Sequence, residues 1–167
     1  YSLRAITKLA DKYKNFRYFI LGSVSDRVYV ESIKKYIKAK GLIENVVIVN
    51  NVEEEELAFF YSVADIFLLN SVNDGDHFEG FGLVFLEAAQ FGLPVIGSKD
   101  CGIEDAMKDG YNGYLSTQKD INDICNNILK ILEGDKEKLS NNSLYFVKGF
   151  SWHKTAKKYL EYYHEEN

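Results

Sequence analysis

The sequence predicts an α/β fold, a parallel sheet with helices on both faces. Three observations carry that reading. Short apolar runs ("FRYFILG", "NVVIVN", "DIFLLN", "PVIGSK") have the length and composition of strands. Stretches with helical spacing of apolar residues separate them. The connections are short, so each strand is regained through a helix, and that favours parallel pairing.

Each element has its own justification. Leu3, Ile6, Leu9 and Ala10 recur at helical spacing and predict a first helix. "FRYFILG" ends in glycine, as a short buried strand does. "DRVYVESIKKYIKAKGL" sets Val30, Ile33, Tyr36 and Ile37 on one helical face and stops near Gly41. "NVVIVN" is an unbroken β-branched run, the pattern of a strand covered on both faces. In "NVEEEELAFFYSVA", Asn51 stands three residues before Glu54, a capping-box spacing. The acidic run then falls in the first turn, where the helix dipole favours it.

"DIFLLN" reads as the third strand and leads into the polar loop "SVNDGDHFEG". "FGLVFLEAAQFG" is a helix closed by Gly92. Pro94, the one proline, is tolerated at the first position of the strand "PVIGSK". "GIEDAMKDG" is a short helix, "NGYLST" a short strand, and "DINDICNNILKILEG", "DKEKLSNNSLYFV" and "SWHKTAKKYLEYYHEE" complete the chain as helices. Ser151 is the expected N-cap of the last. No repeat or linker interrupts the pattern, so residues 1–167 read as one Rossmann-like domain.

Composition narrows the function. With 46% hydrophobic and 27% charged residues, the 167-residue chain can bury an ordinary core. A net charge of −5 and the absence of a basic stripe argue against a nucleic-acid partner. The apolar runs are too short to span a membrane. Cys101 and Cys125 form no C-x-x-C pair and read as reduced thiols of a cytoplasmic protein. No Ser-His-Asp or Cys-His arrangement is visible.

The loop Ser71 to Gly80 follows a strand directly, and in parallel sheets ligands bind outside the carboxyl ends of the strands. Gly80 and Gly82 have no Cβ, so a ligand can approach the backbone there. The first N–H groups of the next helix lack helical partners and form an anion site, with Phe81, Gly82, Leu83 and Val84 as donors. Glu87 lies about one and a half turns into that helix, where a carboxylate can accept bonds from two neighbouring ribose hydroxyls. Glu79, just before the helix, can hold sugar hydroxyls. Together they describe a nucleotide-sugar site. Singly, Glu79 fits a dipole partner equally well, and Glu87 fits a solvated helix residue better than a ligand.

"EGFGLVFLEAAQFGLPVIGSKDCGIEDAMKDGYNGYL" resembles the donor-binding core of retaining GT-B glycosyltransferases of family four. The carrying features are Glu79 and Glu87 around G-F-G, "GLPVIG" from Gly92 to Gly97, and "DGYNGYL" from Asp109 to Leu115; "FSWHKTAKKYLEYY" is similar to the family's last helix. The likeness covers essentially the whole chain. It implies the C-terminal half of a GT-B fold, the nucleotide-sugar-binding domain, with its first strand and the N-terminal acceptor domain lying before Tyr1. It implies that Glu79 contacts the donor sugar beside the reacting centre. Phe81, Gly82, Leu83 and Val84 would contact the diphosphate and sugar, and Glu87 the ribose. A base pocket is expected around Gly22, Asn51 and Val52.

The implied reaction transfers a hexose from a nucleoside-diphosphate sugar to a hydroxyl acceptor (lipid, glycan or polysaccharide), with no cofactor and no metal. A cytoplasmic place follows, at the inner membrane face if the parent associates peripherally. A non-catalytic nucleotide-binding module and a nucleotide-sugar epimerase on the same fold remain as alternatives. Departures from the pattern are concentrated in two loops. "CGIED" has Cys101, Glu104 and Asp105 where glycine, proline and glutamate are usual. The segment "NDGDHF" is long; its Asp74-Gly75-Asp76 spells a metal-binding D-x-D that chance explains better, and His77 reads as an incidental polar residue. The arginine and lysine that neutralise the leaving diphosphate in the resembling enzymes have no match here, since Arg4 falls inside a helix. The chain alone is therefore expected to be poorly active.

Overall fold

The computed structural model describes residues 1–23, 25–75 and 78–165. They divide into two compact units, Tyr1–Val63 and Ala64–Asn167. The first unit runs α1 (Ser2–Leu9), β1 (Tyr18–Gly22), α2 (Arg27–Ala39), β2 (Val46–Asn50) and α3 (Glu54–Val63). β1 and β2 pair in parallel, from Tyr18 opposite Val46 to Gly22 opposite Asn50. Asp26 caps α2 by accepting from the Tyr29 N–H at 2.9 Å. Gly41 ends that helix at φ 67, the left-handed conformation glycine adopts at no steric cost.

One face of this βαβ unit is well covered. Ile37, Leu42 and Val46 are buried there, with Leu3, Phe16, Tyr18, Ile20, Ile33 and Ile48 packed on them. The other face is covered less, contrary to the expectation for β2. Val47 and its register partner Phe19 are each 38% exposed, and the Phe60 ring of α3 meets Phe19 at 5.1 Å between centroids. The β-branched run reported strand propensity correctly; full coverage depends on what lies over the second face.

The capping box of α3 also differs from its expected register. The Glu56 carboxylate reaches back to the Glu53 N–H at 3.1 Å, so the box is closed by residues 53 and 56. Asn51 lies outside it at φ 53, a conformation asparagine tolerates better than most residues. Glu54, Glu55 and Glu56 occupy the first turn as the dipole argument requires.

The second unit holds β3 (Phe67–Leu68), α4 (Leu83–Gln90), β4 (Val95–Ser98), α5 (Ile103–Ala106), β5 (Gly113–Ser116), α6 (Ile121–Glu133), α7 (Lys136–Val147) and α8 (Trp152–Glu165). Its sheet is parallel in the order β3-β4-β5. β4 is buried along its whole length. Phe85 of α4 is completely buried, meeting Phe67 edge-to-face at 5.1 Å. Ile96, Ile103, Ile124 and Ile131 complete the core around it.

Several motif residues turn out to serve this packing. A Cβ on Gly97 would lie 2.5 Å from Ile103 Cγ2, and one on Gly113 would lie 1.8 Å from the Val95 carbonyl oxygen. In "DGYNG", Asp109 accepts from the Leu115 N–H at 2.8 Å and buried Asn112 accepts from the Lys108 N–H at 2.8 Å. Gly110 turns the chain at φ 69. That motif builds the tight entry into β5. Ser151 caps α8 as expected, accepting from the Lys154 N–H at 3.2 Å. Tyr159, Tyr162 and Tyr163 lie on α8 and are each between 64% and 69% exposed, so they are not covered by this sheet. Helical spacing defines a face, and packing on the sheet does not follow from it.

Candidate functional site

The turns after β3, β4 and β5 lie together at the carboxyl edge of the second sheet. Asn70, just past β3, donates from Nδ2 to the Gly97 carbonyl at 3.0 Å. Glu79 sits at the far end of that loop, half-buried. Its carboxylate accepts from the Ser71 hydroxyl at 3.4 Å, and its carbonyl accepts from the Gly102 N–H at 2.9 Å. Phe78 beside it is 71% exposed. Asp76 and His77 lie outside the described residues, so the D-x-D spacing and the loop histidine do too.

The two glycines of G-F-G have different reasons to be glycine. Gly82 is the N-cap of α4 at φ 78, and a Cβ there would meet the Phe85 ring at 2.9 Å. The fold itself requires glycine at that position. A Cβ on Gly80 would meet nothing within 4 Å. Chain geometry leaves that position open, so the open space above it is available to a ligand. Gly102 presses onto the same segment: its Cβ would fall 1.8 Å from the Gly80 carbonyl oxygen and 2.9 Å from the Phe81 nitrogen. The turn after β4 and the turn before α4 are thus in backbone contact.

α4 begins at Leu83, two residues later than the sequence pattern implied, so Glu87 lies about one turn into it. Among the described residues, no main-chain acceptor is bonded to the N–H groups of Gly82, Leu83 or Val84, while the Phe85 N–H turns back to the Gly82 carbonyl at 2.9 Å. These are the unpartnered donors of a helix start, at the positive end of its dipole, with Gly82 itself buried. Leu83 is 52% exposed, so its side chain stands largely outside the core. Phe81 stands beside Phe150, 6.2 Å between ring centroids. Glu87 is half-buried between the core residues Leu86 and Ala88.

The substituted turn "CGIED" has a structural account. Asp100 adopts φ 60, and Glu104 accepts from its N–H at 2.6 Å. A proline at position 104 could not make that bond. Cys101 donates its thiol to the Ser98 carbonyl at 3.3 Å. Burial pushes the Cys101 pKa up, and the nearby carboxylates of Glu104, Glu79 and Asp100 add to the shift. The thiol stays protonated at neutral pH and is a poor nucleophile there. The Ser98 hydroxyl is buried without a hydrogen-bond partner among the described residues.

Of the predicted site residues, Glu79, Phe81, Gly82, Leu83, Val84 and Glu87 gather along one turn and one helix start. Gly22, Asn51 and Val52 belong to the other unit, where Gly22 ends β1 opposite Asn50 and Asn51 follows β2 directly. They share the carboxyl edge of that strand pair. Sequence reading did not single out Asn70, Ser71, Asn73 or Gln118, whose amides and hydroxyl tie the site's loops. Polar residues in turns are too common to flag without coordinates.

A parallel α/β sheet with an open helix start at its strand ends is the arrangement of the doubly wound α/β folds. The chain belongs to the family Glycosyl transferases group 1, whose family model matches residues 1–161. An uncharacterized glycosyltransferase of Methanocaldococcus jannaschii is 30% identical over 166 residues, covering 98% of this chain and 40% of that protein. Among solved structures, sucrose-phosphate synthase from Thermosynechococcus elongatus superposes with a TM-score of 0.81 at 25% identity, covering 98% of this chain and 42% of that one. The Anabaena protein HepE, solved in complex with UDP and glucose, superposes with a TM-score of 0.79 at 19% identity, covering 98% and 44%. The chain thus matches about two fifths of the length of these proteins. Among the described residues, no helix is long and apolar enough to cross a membrane.

Proposed function

We propose that this chain is the donor-binding domain of a retaining glycosyltransferase. Its parent transfers a hexose from a nucleoside-diphosphate sugar to a hydroxyl acceptor. The observation that carries the reading is the turn from Glu79 to Val84, with open space over Gly80, unbonded N–H groups at Gly82, Leu83 and Val84, and a carboxylate on either side. A diphosphate fits the donors, and two sugars fit the two carboxylates. Glu79 would hold the transferred hexose and Glu87 the ribose.

In the reaction the bond between the anomeric carbon and the diphosphate oxygen breaks, and a bond to the acceptor oxygen forms on the same face. The acceptor proton passes to the departing diphosphate. Glu79 orients the sugar and forms no bond to it. This chain needs no metal for that role; the leaving diphosphate requires cations from the rest of the parent. The base would rest near Gly22, Asn51 and Val52. The acceptor-binding part, and any peripheral contact with the inner membrane face, belong to the parent as well.

Calorimetry of the chain with UDP, GDP and ADP tests the binding step, and one of the three is expected to bind. Transfer by the full-length parent, given a panel of nucleoside-diphosphate sugars, tests the reaction. In that parent Glu79→Gln and Glu87→Ala are each expected to lower kcat/KM by roughly 100-fold, the cost of losing one oriented polar contact to the reacting substrate. Full activity in either variant would remove the role given to that residue. Binding by the chain without any transfer by the parent would favour a non-catalytic nucleotide-binding module.

A further inference from the structure

One side chain outside the chemistry above joins all three turns at the carboxyl edge. Gln118 stands in the turn after β5. Its Nε2 donates to the Lys99 carbonyl at 2.8 Å and, less closely, to the Asp100 carbonyl at 3.4 Å. Its Oε1 accepts from the Asn73 N–H at 2.8 Å. Asn73 in turn donates from Nδ2 to the Asp100 carbonyl at 2.7 Å. The loop after β3, the turn after β4 and the turn after β5 therefore meet at one carboxamide.

The chemistry of that meeting is specific. The position needs a donor toward two carbonyls and an acceptor toward an N–H, at the end of a long side chain. Glutamine supplies both from one planar group. Glutamate would face two carbonyls with a third acceptor, and lysine or arginine could not accept from Asn73. The backbone it grips is also the part that cannot relax, because Asp100 is already held at φ 60 by Glu104. Glu79 stands at both ends of the gripped stretch: its carboxylate is two residues from Asn73 through Ser71, and its carbonyl bonds Gly102.

We propose that Gln118 is a positioning residue. It holds the Asn73 segment against the Lys99–Gly102 turn and so fixes the Glu79 carboxylate for a donor sugar. A loop ordered beforehand spares the ligand the cost of ordering it. The proposal rests on the donor-binding reading given above.

Two measurements on Gln118→Ala test it. The first is amide hydrogen exchange by NMR, with a thermal melt to confirm the fold. The Asn73 amide loses its acceptor, and the Gly102 amide loses a fixed partner in Glu79. Both are expected to exchange at least about fivefold faster, the equivalent of one net hydrogen bond, while α6 amides keep their rates. The second is calorimetry with three pairs of probes, UDP against UDP-glucose, GDP against GDP-mannose and ADP against ADP-glucose. For the pair the wild type binds, the preference for the sugar nucleotide over the bare diphosphate is expected to fall about fivefold in Gln118→Ala. The Kd for the bare diphosphate should stay within about twofold. Gln118→Glu, which keeps only the acceptor, is expected not to restore the preference.

An unchanged preference overturns the proposal, as does an equal loss for both probes of a pair, the mark of a merely structural role. Unaltered exchange at Asn73 and Gly102 overturns it too. A wild type that binds none of the three pairs removes the donor-binding reading itself, and a wild type that binds without preferring the sugar nucleotide removes only the proposal.

Discussion

At the scale of single residues, the glycines separate what the fold needs from what a ligand needs. G-x-G looked like one feature in the sequence, yet its members behave differently. Gly82 is demanded by φ 78, whereas Gly80 has nothing within 4 Å of an added Cβ. Gly102 is the opposite of Gly80, with its added Cβ only 1.8 Å from the Gly80 carbonyl oxygen. Gly102→Ala is therefore expected to cost roughly 1–3 kcal/mol, because backbone must move to accept the methyl. Gly80→Ala should fall within about 0.5 kcal/mol of the wild type, since it meets no neighbour. Urea denaturation midpoints check both, and equal midpoints for the two variants would contradict the placement of the turns. The same contrast leaves Gly80 as the position where, under the proposed function, an added side chain would meet the ligand instead of the fold. Glu104 gives the complementary lesson. It looked like a departure from the family pattern, and it holds the N–H of a residue in the left-handed region.

At the scale of elements, helix ends were legible where side chains announced them and shifted where they did not. Asp26, Asp120 and Asp135 each cap their helix through a carboxylate. Asp120 accepts from both the Asn122 and Asp123 N–H groups, at 2.8 and 3.1 Å. Replacing it with alanine is expected to cost about 1 kcal/mol, read as a lower thermal midpoint, with Asp120→Asn recovering most of the loss. Asn51 misled because its residue type and its spacing to Glu54 satisfy the capping pattern, whereas the bond that closes in the structure runs from the Glu53 N–H to the Glu56 carboxylate, with glutamate where the pattern has Ser, Thr, Asp or Asn. α4 started late for a different reason. Gly82 in the left-handed region cannot continue a right-handed helix, and a string of letters does not display φ. The strands were found by composition alone; their coverage was not, because burial is a property of the partners.

At the scale of the whole chain, the two units answer to pH through different groups. Tyr18 packs on the Ile37–Leu42–Val46 cluster. Burial pushes its pKa up to about 12, with a hydrogen bond from Ser2 opposing the shift. The folded-state pKa lies above the ordinary value near 10, so the neutral phenol is the form the fold prefers. The associated stability is fully present below about pH 10 and is lost as pH rises toward 12, on the order of 2–3 kcal/mol. Alkaline melts of the wild type should show that decline, and Tyr18→Phe should lack it. At the acid end, the Thr117 N–H holds the Asp123 pKa below the usual range. A depressed carboxyl contributes stability above its unfolded pKa and loses it as pH falls through the folded one. Asp123→Asn should flatten that acid limb, a change visible in melts between about pH 5 and pH 2.

Much of this protein could be read before any coordinate. Local chemistry specified the element order, because apolar runs and helical spacing are properties of neighbouring residues. The family resemblance rested on contiguous motifs, which survive as text. The fold, as the superposed structures confirm, is the one those motifs implied. The tertiary structure alone decided which motif residues face a site and which face the core. "DGYNG" became a turn, Gly97 and Gly113 became packing contacts, and Gly80 remained open. It also brought Asn73, Asp100 and Gln118 together across 45 residues of chain. The reason is physical. A hydrogen bond between distant turns depends on where the sheet delivers its strand ends, and that placement is set by the packing of the whole unit around β4.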